Sequence, residues 1–209
     1  MKGRLYRLAR DLHLYFGLFI SPFVLLFAAS VYFLVHAWLP KATPKPASTR
    51  TVANLLLPAN LDKLSGRERI AALKPALKQA QVQGEVGWIQ HLARENRLII
   101  PVTVPGRMTT VTIDVAKREA YIGEHITGLA DALVTLHKSP GPHLVGMRMN
   151  WFPMRVWFWF ADATVYLLLF ITVSGIYLWY ALRADRRIGL ALLAAGAVSF
   201  FGLVYAIVH

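Results

Sequence analysis

Three stretches of this chain, residues 14–39, 163–182 and 188–208, contain no Lys, Arg, Asp or Glu. At 1.5 Å of rise per residue, a helix of about 20 residues crosses a ~30 Å hydrocarbon core. The pattern therefore predicts three membrane-spanning helices. The first run exceeds the ~7–15-residue apolar core of a cleaved signal and reads as a retained anchor. Residues 40–155 are the only other segment long enough for a domain of their own. The expected fold class is membrane α-helical, with three transmembrane helices and a small α+β extracytoplasmic domain.

Charge supports that frame. The chain has 23 Lys and Arg against 11 Asp and Glu, a net +12. Such an excess can signal nucleic-acid binding, but here part of it marks helix ends, so no nucleic-acid partner is expected. Lys2, Arg4, Arg7 and Arg10 precede the first run, and Arg183, Arg186 and Arg187 lie between the second and third. Short basic segments of this kind remain cytoplasmic under the positive-inside rule. The N-terminus and the 183–187 turn are thus expected in the cytoplasm, with the main domain and the C-terminus on the far side. Residues 40–155 carry sixteen basic and eight acidic residues. Two readings of that excess stay open: a face against anionic membrane lipids, or attraction of an acidic substrate or partner. The absence of cysteine excludes disulfides, iron–sulfur clusters, thiolate haem ligation, c-type haem attachment and thiol-based zinc sites.

The chain divides into a cytoplasmic basic stub (1–11), a first transmembrane helix (12–39), a tether (40–64), an α+β domain (65–135), an interfacial segment (136–160), a second transmembrane helix (161–182), a cytoplasmic turn (183–187) and a third transmembrane helix (188–209). The tether begins with the Pro/Ser/Thr/Lys-rich KATPKPASTR, which reads as extended chain. Residues 65–83 show helical spacing at Ile70, Leu73, Leu77 and Ala80, and Ser65 with Glu68 forms a potential capping box. Pro75 falls inside this pattern and predicts a kink or a break. Beyond Gly84 the period shifts to strands around 86–92, 98–104, 109–115 and 121–122, separated by Arg94-Glu95-Asn96, Pro105-Gly106 and 116–119. A short amphipathic helix over 128–136 follows. Trp151, Phe152, Trp157, Phe158, Trp159 and Phe160 then form an aromatic belt at the outer interface.

No catalytic signature is present: no phosphate loop, no Gly-x-Ser-x-Gly, no His-Glu-x-x-His and no dinucleotide fingerprint. The histidines carry what chemistry there is. His13, His36, His137 and His209 lie at or near membrane ends, with His143 close by, and neutral imidazole in a helix bundle can ligate haem iron. These five are the candidate cofactor-binding residues, and no metal beyond haem iron is expected. His13 and His36 are 23 residues apart, about 35 Å of helix, and cannot share one iron. On the outer side His36 can meet His137, His143 or His209. On the inner side His13 has only Tyr177 and Tyr180 within the same level, so a bis-His haem there requires a homodimer or a partner subunit. Interfacial anchoring, as by Trp and Tyr, remains the competing reading for every one of these histidines. Asp162 reads as a helix N-terminal charge, and Ser174-Gly175 as a small pair that admits a neighbouring helix.

Three motifs, taken in order, resemble a known family. His13-Leu14-Tyr15-Phe16-Gly17 after a basic stub is similar to the His-x-x-x-Gly helix start of the PepSY-associated transmembrane proteins of bacterial inner membranes. Leu136-His137 resembles the Leu-His ahead of that family's next span, and Ser174-Gly175-Ile176-Tyr177-Leu178-Trp179 its Ser/Thr-Gly-x-x-x-Trp helix ending. The helix and strands of 65–122 are similar to a PepSY unit. The resemblance implies a bacterial inner-membrane protein with a periplasmic PepSY-like domain. Larger members are reductases that carry b-type haem on helix histidines and reduce ferric siderophores; others are membrane proteins whose PepSY unit is associated with regulating peptidases. It makes His13 and His137 the leading haem ligands, His36 being added by geometry. This chain departs from the reductases in having three spans and no histidine in the cytoplasmic half of the second and third.

Two functions follow as expectations. One is haem b electron transfer, accessory to ferric-siderophore reduction. The other is a non-enzymatic anchored module whose domain binds a periplasmic protein or peptide, including by strand addition at a sheet edge.

Overall fold

The structure, a computed structural model, describes residues 2–36, 45–58, 60–139, 149–182 and 185–208. It forms two compact units, one of Met1–Pro22 with Ala163–His209 and one of Phe23–Asp162. Among the described residues, five α-helices are α1 (Lys2–Val35), α2 (Gly66–Gln79), α3 (Leu129–Lys138), α4 (Phe152–Ala181) and α5 (Arg186–Val208). The strands are β1 (Lys45–Val52), β2 (Glu85–Val86), β3 (Gln90–Leu92), β4 (Arg97–Val104), β5 (Arg107–Asp114) and β6 (Glu119–Ile126).

Three helices are long and apolar enough to cross a membrane: Gly3–Val35, Phe152–Ala181 and Arg186–Val208. This is a membrane protein. All three helices begin before their charge-free cores, α5 by only the two residues Arg186 and Arg187. α1 takes in the basic stub, because Arg and Lys are good helix formers, and it continues through Pro22. α4 begins at Phe152, so most of the aromatic belt is helical and continuous with the second span. Trp38-Leu39-Pro40, His143 and His209 lie outside the described residues.

The second unit holds an antiparallel sheet in the order β1-β6-β5-β4-β2, with β3 also on β4. Strict alternation builds its core: Leu98, Ile100 and Val102 of β4, Val111 and Ile113 of β5, and Ala120 and Ile122 of β6 are all buried. They form one cluster with Ile70, Leu73, Ala76 and Leu77, the buried face of α2. Pro75 lies on the exposed side of that helix and does not break it. Ser65 is the α2 N-cap, but its side chain makes no capping hydrogen bond, so the capping box is not formed. The β4–β5 turn is Pro105-Gly106, with Gly106 at φ +84°, a backbone that glycine adopts without steric cost.

The stretch read as a tether differs from expectation. Lys45–Val52 pairs with β6 from Lys45↔Ile126 to Val52↔Ala120, with one irregularity between Pro46 and Ser48. Its Lys, Pro and Ser residues have weak strand preference, and pairing with a neighbour overrides it. At the other edge, β2 is clipped to the chain before α4. The Glu85 carboxylate accepts the backbone N–H groups of Asn150 (3.2 Å) and Trp151 (3.0 Å). The Asn150 side chain accepts from Val86 N–H and donates to Val86 C=O, at 3.0 and 2.8 Å. It completes the edge of β2 as a further strand would.

Candidate functional site

Two of the five candidate histidines are each held by a serine from a distant part of the chain. In the first unit, His13 Nδ1 lies 2.8 Å from Ser174 Oγ. Residues 13, 16 and 17 fall on one face of α1, and 170, 171, 174 and 175 on one face of α4. Phe16 and Phe170 meet edge to face at 5.4 Å. A Cβ placed on Gly17 would stand 3.5 Å from Ile171, and one on Gly175 would stand 3.5 Å from His13 Cε1. The small residues thus admit close approach without being forced on the site. Gly189 is different: a Cβ there would run into the Trp179 indole, so a larger residue would require that ring to shift.

In the second unit, His137 near the end of α3 lies with its Nδ1 2.9 Å from Ser30 Oγ of α1. Phe27, one turn before Ser30, contacts the imidazole edge to face at 5.6 Å and the Trp157 ring at 5.8 Å. Trp157 Nε1–H donates to the Leu136 carbonyl at 3.1 Å, which fixes the end of α3. Ser30 is fully buried.

At His137 the serine decides which imidazole nitrogen carries the proton. Ser30 Oγ donates to the Phe27 carbonyl, its own i−3 neighbour, at 2.6 Å. A hydroxyl has one proton and a carbonyl only accepts. The Ser30 oxygen therefore accepts from His137, whose Nδ1 must be the N–H nitrogen. Nε2 is left with its lone pair, the form in which imidazole binds metal. Ser174 Oγ also faces its own i−3 carbonyl, that of Ile171, but at 3.2 Å, longer than its 2.8 Å to His13 Nδ1. Its proton is therefore shared between the two, and the His13 tautomer is not fixed in the same way. Neither His13 nor His137 has an Nε2 hydrogen bond among the described residues.

His36 is held differently. Its Nδ1–H donates to the Tyr32 carbonyl of its own helix at 3.0 Å, and its ring lies 4.3 Å from the Tyr32 ring. Among the described residues no group of three or more His, Asp or Glu is placed to hold a metal ion. Ser30 was not legible as a site residue: a serine in an apolar helix ordinarily bonds its own i−3 or i−4 carbonyl, and its partner is 107 residues away. In comparisons with known proteins no family model matches the chain, and neither a curated protein nor a solved structure matches it.

Proposed function

We propose that this chain is a haem b protein of the electron-transfer class in a bacterial inner membrane, a PepSY-associated transmembrane protein accessory to ferric-siderophore reduction. On this reading the N-terminus is cytoplasmic and the sheet-bearing domain periplasmic. The observation that carries it is the imidazole–serine–carbonyl chain at His137, with a looser counterpart at His13. A ligating histidine nearly always donates its other ring N–H to a fixed acceptor, and that bond sets the tautomer and ring orientation. A helix–helix hydrogen bond alone would need no such tautomer. The donor chemistry therefore fits haem iron through Nε2 of His13 and of His137. Haem, when bound, supplies a one-electron couple; the protein's part is to hold the His137 imidazole, and less strictly that of His13, in its metal-binding form. Each serine positions a single histidine. A second donor at His137 would come from His36, a second copy of the chain or a partner subunit, and one at His13 from a second copy or a partner subunit.

The test is an absorption spectrum of the protein purified in mild detergent from haem-replete cells, before and after dithionite. A Soret band that shifts on reduction, lost or halved in His137→Ala and in His13→Ala, is expected. A flat visible spectrum at full haem supply overturns the proposal.

A second reading is favoured by one observation. β1 is an eight-residue edge strand, long enough to pair with an added peptide strand. On that reading the chain is a regulatory or binding module acting on a periplasmic protein or peptidase, and the spectrum is flat.

A further inference from the structure

The second unit carries a groove unrelated to the histidines. One face of α2 presents 67, 70, 71, 74, 77 and 78, the i, i+3, i+4, i+7 spacing of a single stripe. Across from it lie Asn150, Trp151 and Phe152 and, one and two turns on, Arg155, Phe158 and Trp159. Two cavities of about 830 and 370 Å³ occupy the space between, and Lys74, Asn150 and Arg155 line both. They form one continuous groove of the size that binds small ligands.

The lining is one-sided in charge. Arg67, Lys74, Lys78 and Arg155 contribute four cations, and no carboxylate is among the lining residues described. The nearby acid, Glu85, is engaged by the backbone N–H groups of Asn150 and Trp151. The floor is fixed in place, because Asn150 is bonded to both backbone groups of Val86. Trp151, Phe152, Phe158 and Trp159 add aromatic rings to the lining, and Phe152 and Trp159 are largely exposed. A groove with cations on both walls, Lys74 and Lys78 facing Arg155, and exposed aromatic rings beside Arg155 suits an anion joined to an apolar body.

Helix length supplies the occupant. α4 has 30 residues, about 45 Å of rise against a ~30 Å hydrocarbon core. Its last 19 residues, from Ala163 to Ala181, are uncharged, whereas Arg155 and Asp162 fall in the eleven residues before them. The charged end of α4 therefore belongs in the headgroup layer, and Trp and Arg there are interfacial residues. We propose that the groove is a binding site for an acidic phospholipid, whose headgroup phosphate is held by Lys74 and Arg155 and whose apolar portion lies on Trp159 and Phe152. This inference is independent of haem.

The experiment uses the full chain in mild detergent, exchanged into nanodiscs of phosphatidylcholine containing a minor fraction of phosphatidylglycerol. Lipid retained after re-extraction is quantified by mass spectrometry. The expected result is selective retention of phosphatidylglycerol, with affinity reduced about thirtyfold in K74Q/R155Q, the effect of two interfacial charges. The charge-matched control R94Q/R97Q, on exposed residues outside the groove, keeps the selectivity. K74R/R155K keeps it too, which guards against a folding defect in the Gln variant. Equal retention in K74Q/R155Q overturns the proposal, as does an equal loss in R94Q/R97Q, which would make the attraction diffuse. Full displacement by inorganic phosphate or by an acidic peptide also overturns it, assigning the groove to a soluble anion.

Discussion

The two histidine sites use the same residue pair with different degrees of commitment. At Ser30 the hydroxyl is fully buried and bonded to its carbonyl at 2.6 Å, so its proton is spoken for and His137 must donate. At Ser174 the serine–carbonyl distance is 3.2 Å while the imidazole is at 2.8 Å, so the hydroxyl divides its preference between the two acceptors. The surroundings differ in the same sense. His137 is walled by Phe27, which is itself in contact with Trp157. His13 has the open flank of Gly175 beside it. One site is built around a single tautomer, and the other tolerates two. A serine next to a histidine thus says little until the serine's own proton has been traced.

The largest expected difference comes from removing the hydroxyls. Ser30→Ala leaves His137 Nδ1–H without its acceptor in a buried place, and haem affinity at that site should fall about 10- to 100-fold. Ser174→Ala should lose less, below about tenfold, because the imidazole there is not bound to one protonation pattern. Haem titration of the two purified variants, followed at the Soret band, checks the order. Equal losses would show that the serine–carbonyl distance does not set the commitment of the site. Without haem, Ser174→Ala should lose only about 0.6–2 kcal/mol of α1–α4 association, the ordinary range for a polar contact between membrane helices.

How much of this could be read from the chain depends on how local the cause is. The span cores were legible because a run without charge is itself the physical requirement. Their ends were not: 2–11 and 152–160 are helical although charged or aromatic, since helix propensity and helix length do not respect the edge of the hydrocarbon core. The strands β4 and β5 were legible from alternation, but KPASTRTV owes its strand to the partner β6. His13 and His137 stood out by residue type and placement. Ser30, and the Glu85–Asn150 clip that gives the groove its floor, depend on partners 107 and 65 residues distant, and no local pattern carries that information.

Packing around the rings offers a finer test. Phe27→Leu keeps an apolar side chain of similar bulk but removes the edge-to-face contacts with His137 and Trp157. Such pairs contribute about 0.5–1.5 kcal/mol beyond buried area. The variant should weaken haem at His137 by up to about tenfold and leave the His13 site unchanged, which separate potentiometric midpoints would reveal. A matching shift at both sites would mean that the ring acts through helix packing in general and not through the imidazole it touches.

The smallest effect is expected at Gly175, and it bears on the looser site. A Cβ there would meet His13 Cε1 at 3.5 Å, ordinary van der Waals contact. Alanine is also favoured over glycine in a helix interior by about 0.5–1 kcal/mol. Gly175→Ala should therefore be neutral or slightly stabilising, with thermal stability in detergent unchanged or raised, while the added methyl narrows the freedom of the His13 ring. If His13 tolerates two arrangements, that narrowing should sharpen its spectroscopic line or midpoint and bring it nearer to the behaviour of His137. A destabilised Gly175→Ala would instead place α1 and α4 in closer contact at His13 than a methyl group allows, and the glycine would then be a packing requirement.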